Sequence, residues 1–133
     1  MLNAIATAIE DRLKELSIFK AVEQNFSKRA LSMPPAAVFY LLSDKAAADK
    51  PAVARDLTWG ITLLVSTLGA DQGQLKVLEC IDAVRNGFSE WKPFAAGVLP
   101  VSPPEIIFDG FEETLLIYSA TLSMRVFPQN ILY

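Results

Sequence analysis

Hydrophobic and polar residues alternate through "RDLTWGITLLVST", residues 55–67. Leu57, Trp59, Ile61, Leu63 and Val65 fall on one parity, and Thr58, Gly60, Thr62, Leu64 and Ser66 on the other. A period of two with β-branched and aromatic residues enriched predicts a strand with one buried face. At ~3.3 Å per residue it runs about 40 Å, whereas a compact chain of this size has a radius of gyration of about 14 Å. A second long strand is predicted in "TLLIYSATLSMRVF", where Leu116, Tyr118, Ala120, Leu122, Met124 and Val126 share one parity. Its other parity, Ser119, Thr121, Ser123 and Arg125, is wetter. A strand that long in a small domain is expected to bend at a bulge or to pass beyond its own core.

The period changes to that of a helix at two places. Leu2, Ile5, Ile9, Leu13 and Leu16 recur at spacings of three and four, and Glu10, Asp11, Arg12, Lys14 and Glu15 fill the opposite face. This predicts an amphipathic helix lying on a flat layer, with Asn3 as its candidate cap. A second helix, "QLKVLECIDAVRNGF", carries Leu75, Leu78 and Ile81 with Val77, Val84 and Phe88 on its inner side. It follows a turn at "GADQG", where Asp71 and Gln74 stand at capping-box spacing. Gly87 is expected to weaken its last turn.

Between these elements, "SIFKAVE" offers a short strand and "QNFSKRALSMPP" a connection closed by two prolines. "AAVFYLLS" has no polar parity until Ser43, so both of its faces are expected to be covered. "DKAAADKPAVARD", residues 44–56, reads as a hairpin excursion too long for a two-residue turn. "KPFAAGVLPVSPPE" holds four prolines and predicts an irregular crossing. "IIFDGFEE" predicts a short strand with a turn at Asp109-Gly110. Hairpin-linked strands flanked by helices point to an α+β fold: a mostly antiparallel sheet of about four strands, two main helices and a projecting long hairpin loop, all in a single domain over residues 1–133.

Composition sharpens this picture in one respect. The chain is 52% hydrophobic and 20% charged, with a mean hydropathy of +0.31, which is more apolar side chain than one small core calls for. No uninterrupted apolar run reaches the roughly 20 residues of a spanning helix, and Glu10 and Asp11 interrupt the N-terminal stretch in a way a secretory signal does not. The expected setting is therefore cytoplasmic, without a membrane. A net charge of −3 with no basic block argues against tight nucleic-acid binding. Cys80 is the single cysteine, so no intrachain disulfide is available.

The chain has no histidine, which removes Ser-His, Cys-His and His-ligated zinc chemistry. Its glycines are scattered singly, without a phosphate-cradling motif. Asp109, Glu112 and Glu113 are spaced as paired carboxylates for acid–base work or a hard cation, or as solvated turn residues. Cys80 reads as a small, partly buried hydrophobe, since no imidazole stands by to form a thiolate. Trp59 and Trp91 with Phe94 are candidates to line a ligand pocket; the strand parity of Trp59 reads as core, and Trp91, beside the Lys92-Pro93 break, suits an interface as well. Lys45, Lys50 and Arg55 bracket the long hairpin, as a positive fringe or as ordinary charges balanced by Asp44, Asp49 and Asp56.

Taken in order, the helix "MLNAIATAIEDRLKEL", the strand "PPAAVFYLLSD", the loop into "LTWGITLLVST", the helix "QLKVLECIDAVRNGF", a proline-bearing crossing and the closing "IIFDGFEETLLIYSATLSMRV" resemble the small tail terminator (tail completion) proteins of Mu-like phages and prophages. The resemblance covers nearly the whole chain and rests on the order of elements, not on a catalytic signature. It implies a non-enzymatic virion protein without cofactor or metal. Such a protein forms a hexameric ring that caps the tail tube, stops its growth and joins it to a head completion or neck protein. DNA only passes through the lumen, and the protein's place is the host cytoplasm during assembly and the virion tail or neck afterwards. In such a ring Lys45, Lys50 and Arg55 are expected on the projecting hairpin. Thr58, Thr62, Ser66, Trp91 and Phe94 are the expected subunit contacts. Two other readings remain open from the residues alone: another neck or connector component, and a small ligand-binding or regulatory α+β domain with Phe39, Trp59 and Tyr118 lining a pocket.

Overall fold

The computed structural model describes residues 1–24, 34–66, 70–94 and 96–130, with backbone alone for residues 70–75. In chain order the elements are α1 (Leu2–Glu15), β1 (Ala21–Gln24), β2 (Ala36–Ala46), β3 (Arg55–Ser66), α2 (Ala70–Phe88), β4 (Glu105–Glu112) and β5 (Leu115–Val126). The strands form one sheet in the order β1-β2-β3-β5-β4. β1 lies parallel to β2, and every other neighbouring pair is antiparallel. The fold is α+β, with one strand more than the sequence pattern predicts at its simplest count.

Both helices cover the same face of the sheet. Ile5, Ile9 and Leu13 of α1 and Val84 and Phe88 of α2 meet Phe39, Leu57, Trp59, Ile61, Leu63 and Leu122 in one core, as the predicted parities require. Val77 and Cys80 of α2 pack on Val65 in a smaller cluster. The stripe that α2 buries is therefore Val77, Cys80, Val84 and Phe88, and Leu78 is 52% exposed although the sequence places it inside. Two candidate stripes differ by one residue along that helix, and packing chooses between them. Asn3 lies within α1, whose N-cap is Met1 without a side-chain bond. α2 already begins at Ala70, so Asp71 to Gly73 are helical rather than a turn; the Asp71–Gln74 capping pair, the side chain of Leu75 and most of the 24–35 connection lie outside the description.

Gly87 sets the approach of the two helices. A Cβ there would stand 2.6 Å from Leu16 Cδ2, and its carbonyl accepts a 2.8 Å hydrogen bond from Arg12 Nε. Its lack of a side chain is thus used for contact, a role that helix propensity alone does not show.

β3 departs from simple alternation. Its helix-facing parity is buried, and so are Gly60, Thr62 and Leu64 on the other face. The Tyr40 ring lies over Gly60, where a Cβ would come within 2.6 Å of it. The Tyr40 hydroxyl is 3.2 Å from Thr62 Oγ1. Leu64 joins Ala36 and Val38, with Ala21 and Ile117 packed alongside. Side chains of the flanking strands thus lie over this face of β3 as well, and its sequence pattern records only the other one.

Bulges occur in β2 at Leu42 and in β4 at Asp109. β5 runs twelve residues in unbroken register with β3, so the bend predicted for it is taken up by its neighbours. The bulge also corrects the turn predicted at Asp109-Gly110: β4 continues to Glu112, which pairs with Leu115, and the chain reverses at Glu113-Thr114. Glu113 adopts a left-handed φ of 54° there.

Candidate functional site

The hairpin between β2 and β3 is tighter than predicted. The strands pair out to Ala46 and Arg55, which reduces the excursion to residues 47–54. That loop is braced by Ala47 N–H donating to the Ala54 carbonyl at 3.0 Å and by Val53 and Ala54 N–H donating to the Lys50 carbonyl at 3.2 and 3.0 Å. Its two ends, Ala47 and Ala54, are buried. After the Leu42 bulge, Ser43 and Lys45 fall opposite Thr58 and Asp56, so the pairing resumes.

The charges at this tip bond mostly to one another. Arg55 Nε donates to Asp44 at 2.6 Å. Arg125, at the far end of β5, donates from Nε and NH2 to the two oxygens of Asp56 at 2.8 and 3.2 Å, and from NH1 to Asp49 at 3.0 Å. Bidentate guanidinium–carboxylate geometry is the stronger kind of charged hydrogen bond. The Arg125 bonds hold the carboxyls of Asp49 and Asp56 below the usual aspartate range and raise the guanidinium above its ordinary value. Arg125 was not singled out from the sequence. Only strand register places it opposite Asp56. Among the described residues, Lys45 and Lys50 are exposed without an ion pair. They are what remains of the predicted positive fringe.

The residues expected at a subunit contact do not form one patch. Thr58 and Ser66 are half-buried and Thr62 is buried on the helix-free face of β3. Thr58 borders a shallow depression of about 400 Å³ with Lys45, Asp56, Leu99, Ser123 and Arg125. Trp91 and Phe94 pack against the main core on the other side of the sheet. The Trp91 ring meets Phe88 edge-on at 5.1 Å, and the Trp91 carbonyl accepts from Val101 N–H at 2.9 Å. These two aromatics pin the proline-rich crossing onto the domain.

Phe39 and Trp59 are fully packed in the core, with Tyr118 half-buried against it. Among the described residues the buried indole Nε1 of Trp59 has no hydrogen-bond partner, a cost of about 1–3 kcal/mol. Cys80 is buried, and desolvation pushes its thiol up to about 11, which makes it inert as a nucleophile at neutral pH. Of the three clustered carboxylates, Asp109 accepts a hydrogen bond from the Ser119 hydroxyl, while Glu112 and Glu113 are exposed. Among the described residues no three His, Cys, Asp or Glu side chains converge as a metal site requires. No described helix is long and apolar enough to cross a membrane.

Sequence reasoning missed the outer edge of β4. Ile107, Phe108 and Phe111 are 52%, 46% and 69% exposed. Phe108 contacts Phe111 and Tyr118 at centroid distances of 5.4 and 5.2 Å. The signal in the sequence was "IIFDGF", apolar on both parities, which in an interior strand means burial on both faces. Here it sits on the last strand of the sheet. No protein-family model matches the sequence, and no curated protein is significantly similar to it.

Proposed function

We propose that this protein is a structural subunit of a phage-type virion, one that assembles into a ring on the end of a tail tube, ends tube growth and provides the joint to the head or neck. The order of elements supports this reading through its resemblance to tail terminators. So does the one-sided α+β layer, in which both helices lie on one face of the sheet and β4 keeps large apolar side chains in water. That exposed strand is the observation that carries most weight. Contiguous apolar surface on a soluble domain marks an interaction site, and it accounts for the apolar surplus of the composition. In this role Lys45 and Lys50 stand at the tip of the β2–β3 hairpin, where a neighbouring layer would meet them. The net charge of −3 suits a lumen along which DNA slides, because a strong phosphate grip would hold it.

The test is native mass by light scattering over a wide concentration range, with electron microscopy of any large species, followed by polymerisation of a tail tube protein with and without this chain. A ring with a central hole and tubes whose growth stops on its addition are expected. Tubes that grow to the same length in its presence, with no ring at any concentration, overturn the reading.

A further inference from the structure

Asn86-Gly87 is the one Asn-Gly pair in the chain. In such a pair the backbone nitrogen of glycine can attack the asparagine carboxamide, because no glycine side chain obstructs the five-membered ring that forms. The pair lies in the last turn of α2, where Asn86 is exposed and Gly87 is buried. Helix geometry opposes the reaction there. The attacking nitrogen must give up its proton, and in a helix that proton is committed to the carbonyl four residues back. A helical ψ of about −42° also holds the nitrogen out of line with the side-chain carbon it must reach. Ring closure therefore requires this turn to open.

Two side chains from the first helix keep it shut. Arg12 Nε donates to the Gly87 carbonyl at 2.8 Å, and Leu16 covers the glycine so closely that a Cβ there would stand 2.6 Å from its Cδ2. The turn depends on this bracing, since glycine is a poor helix former. Undocking of the C-terminal end of α1 removes the bond to the carbonyl and the cover together. An acid formed at residue 86 would then stand four residues from Asp82, a like-charge pair on one helix face, and at the negative end of the helix dipole. The reacted turn closes less well than the original.

We propose that Asn86-Gly87 is a latent deamidation site, silenced by the docking of α1 and released when that docking opens. The glycine nitrogen passes its proton to water and bonds to Asn86 Cγ, while the carboxamide nitrogen takes up a proton and leaves as ammonia. Water then opens the succinimide at either carbonyl, giving aspartate or isoaspartate, so that the sum is asparagine plus water to acid plus ammonia. The product is a permanent mark on chains whose α1–α2 contact has opened. This inference is independent of the ring reading.

Peptide mapping by mass spectrometry of the full chain, incubated at mildly alkaline pH, reads the conversion at residue 86 directly. The native chain is expected to deamidate more than about tenfold slower than the same chain held unfolded in denaturant. Arg12→Met, its fold checked by circular dichroism, should raise the native rate about tenfold and leave the unfolded rate unchanged. Leu16→Ala should act in the same direction, and it keeps the test decisive if the first variant does not fold. Leu122→Ala, in the sheet, should leave the native rate near that of the wild type, because opening of the last turn is local. A native chain that deamidates as fast as the unfolded one overturns the proposal, as do Arg12→Met and Leu16→Ala variants that both match the wild type. So does a rate that simply follows global stability across all three variants, since the gate would then be the whole fold and not the contact of α1.

Discussion

The two hairpins of the sheet carry similar numbers of charges and treat them in opposite ways. At the β2–β3 tip, Arg55 bonds Asp44, and Arg125 reaches across from β5 to hold Asp49 and Asp56 together. On the β4–β5 hairpin, Glu105, Glu112 and Glu113 are exposed among apolar neighbours, and Asp109 is bonded to a hydroxyl rather than to a cation. The first hairpin is closed on itself; the second is open to something else. Strand register makes the difference. Arg125 stands opposite Asp56 because β3 and β5 pair without a shift over their whole length, whereas among the described residues β4 has a strand neighbour on one side only.

Removing what the hairpins share should have the largest effect. Leu122 of β5 is fully buried and lies opposite Trp59 of β3, where the two hairpins join. Leu122→Ala is expected to cost about 2–5 kcal/mol, read as a lower denaturation midpoint, with amide protection lost from both hairpins together. A β4–β5 hairpin that stayed protected while β2–β3 opened would break the view of one cooperative sheet.

Acid should tell the hairpins apart. Asp49 and Asp56 have carboxyls held below the ordinary range by Arg125, so their contribution is complete above the unfolded aspartate pKa of about 3.9. It is lost as pH falls through their lowered values. Amide protection in residues 47–54, corrected for intrinsic exchange and followed from about pH 6 to about pH 2, is expected to fall at the acid end, and Arg125→Met should make it low and pH-insensitive throughout. Among the described residues the turn of the β4–β5 hairpin has no such ion pair to lose, and it should follow global stability alone. Equal acid responses in the two hairpins would contradict the comparison.

The smallest effect sharpens the contrast at the β4–β5 turn. Glu113 adopts a φ of 54°, which costs a non-glycine residue about 1 kcal/mol or more, partly offset in glycine by unfolded-state entropy. Glu113→Gly should therefore stabilise the chain by about 0.5 kcal/mol, a rise in Tm of about 2 °C. If the contacts of Glu113 hold the turn, the melting temperature falls instead.

Much of this architecture is legible in the pattern of side chains. The three-and-four spacing from Leu2 to Leu13 is the face that α1 buries, and the odd parity of β3 is the face that meets the helices. Both are local periodicities, set by 3.6 residues per turn and by the pleat, and any packed layer must use them. Cys80 as a hydrophobe is legible on another ground, the lack of any histidine to form a thiolate, and it is buried outright where the sequence predicts partial burial.

What depends on distant neighbours could not be read in this way. The wet parity of β3 is dry at Thr62 and Leu64 because side chains of the neighbouring strands, Tyr40, Ala36, Val38 and Ile117, lie beside them. Of two adjacent stripes on α2, the contacts with Val65 and with Leu16 select one. Asp109-Gly110 reads as a turn by composition, yet the ladder with β5 carries the chain through it as a bulge. The expected contact residues divide between opposite faces, and the apolar run of β4 faces solvent because of its place in the strand order. Periodicity specifies which side of an element is apolar; only the packing of the whole sheet decides which apolar side remains uncovered, since burial belongs to the neighbours a residue meets and not to the residue alone.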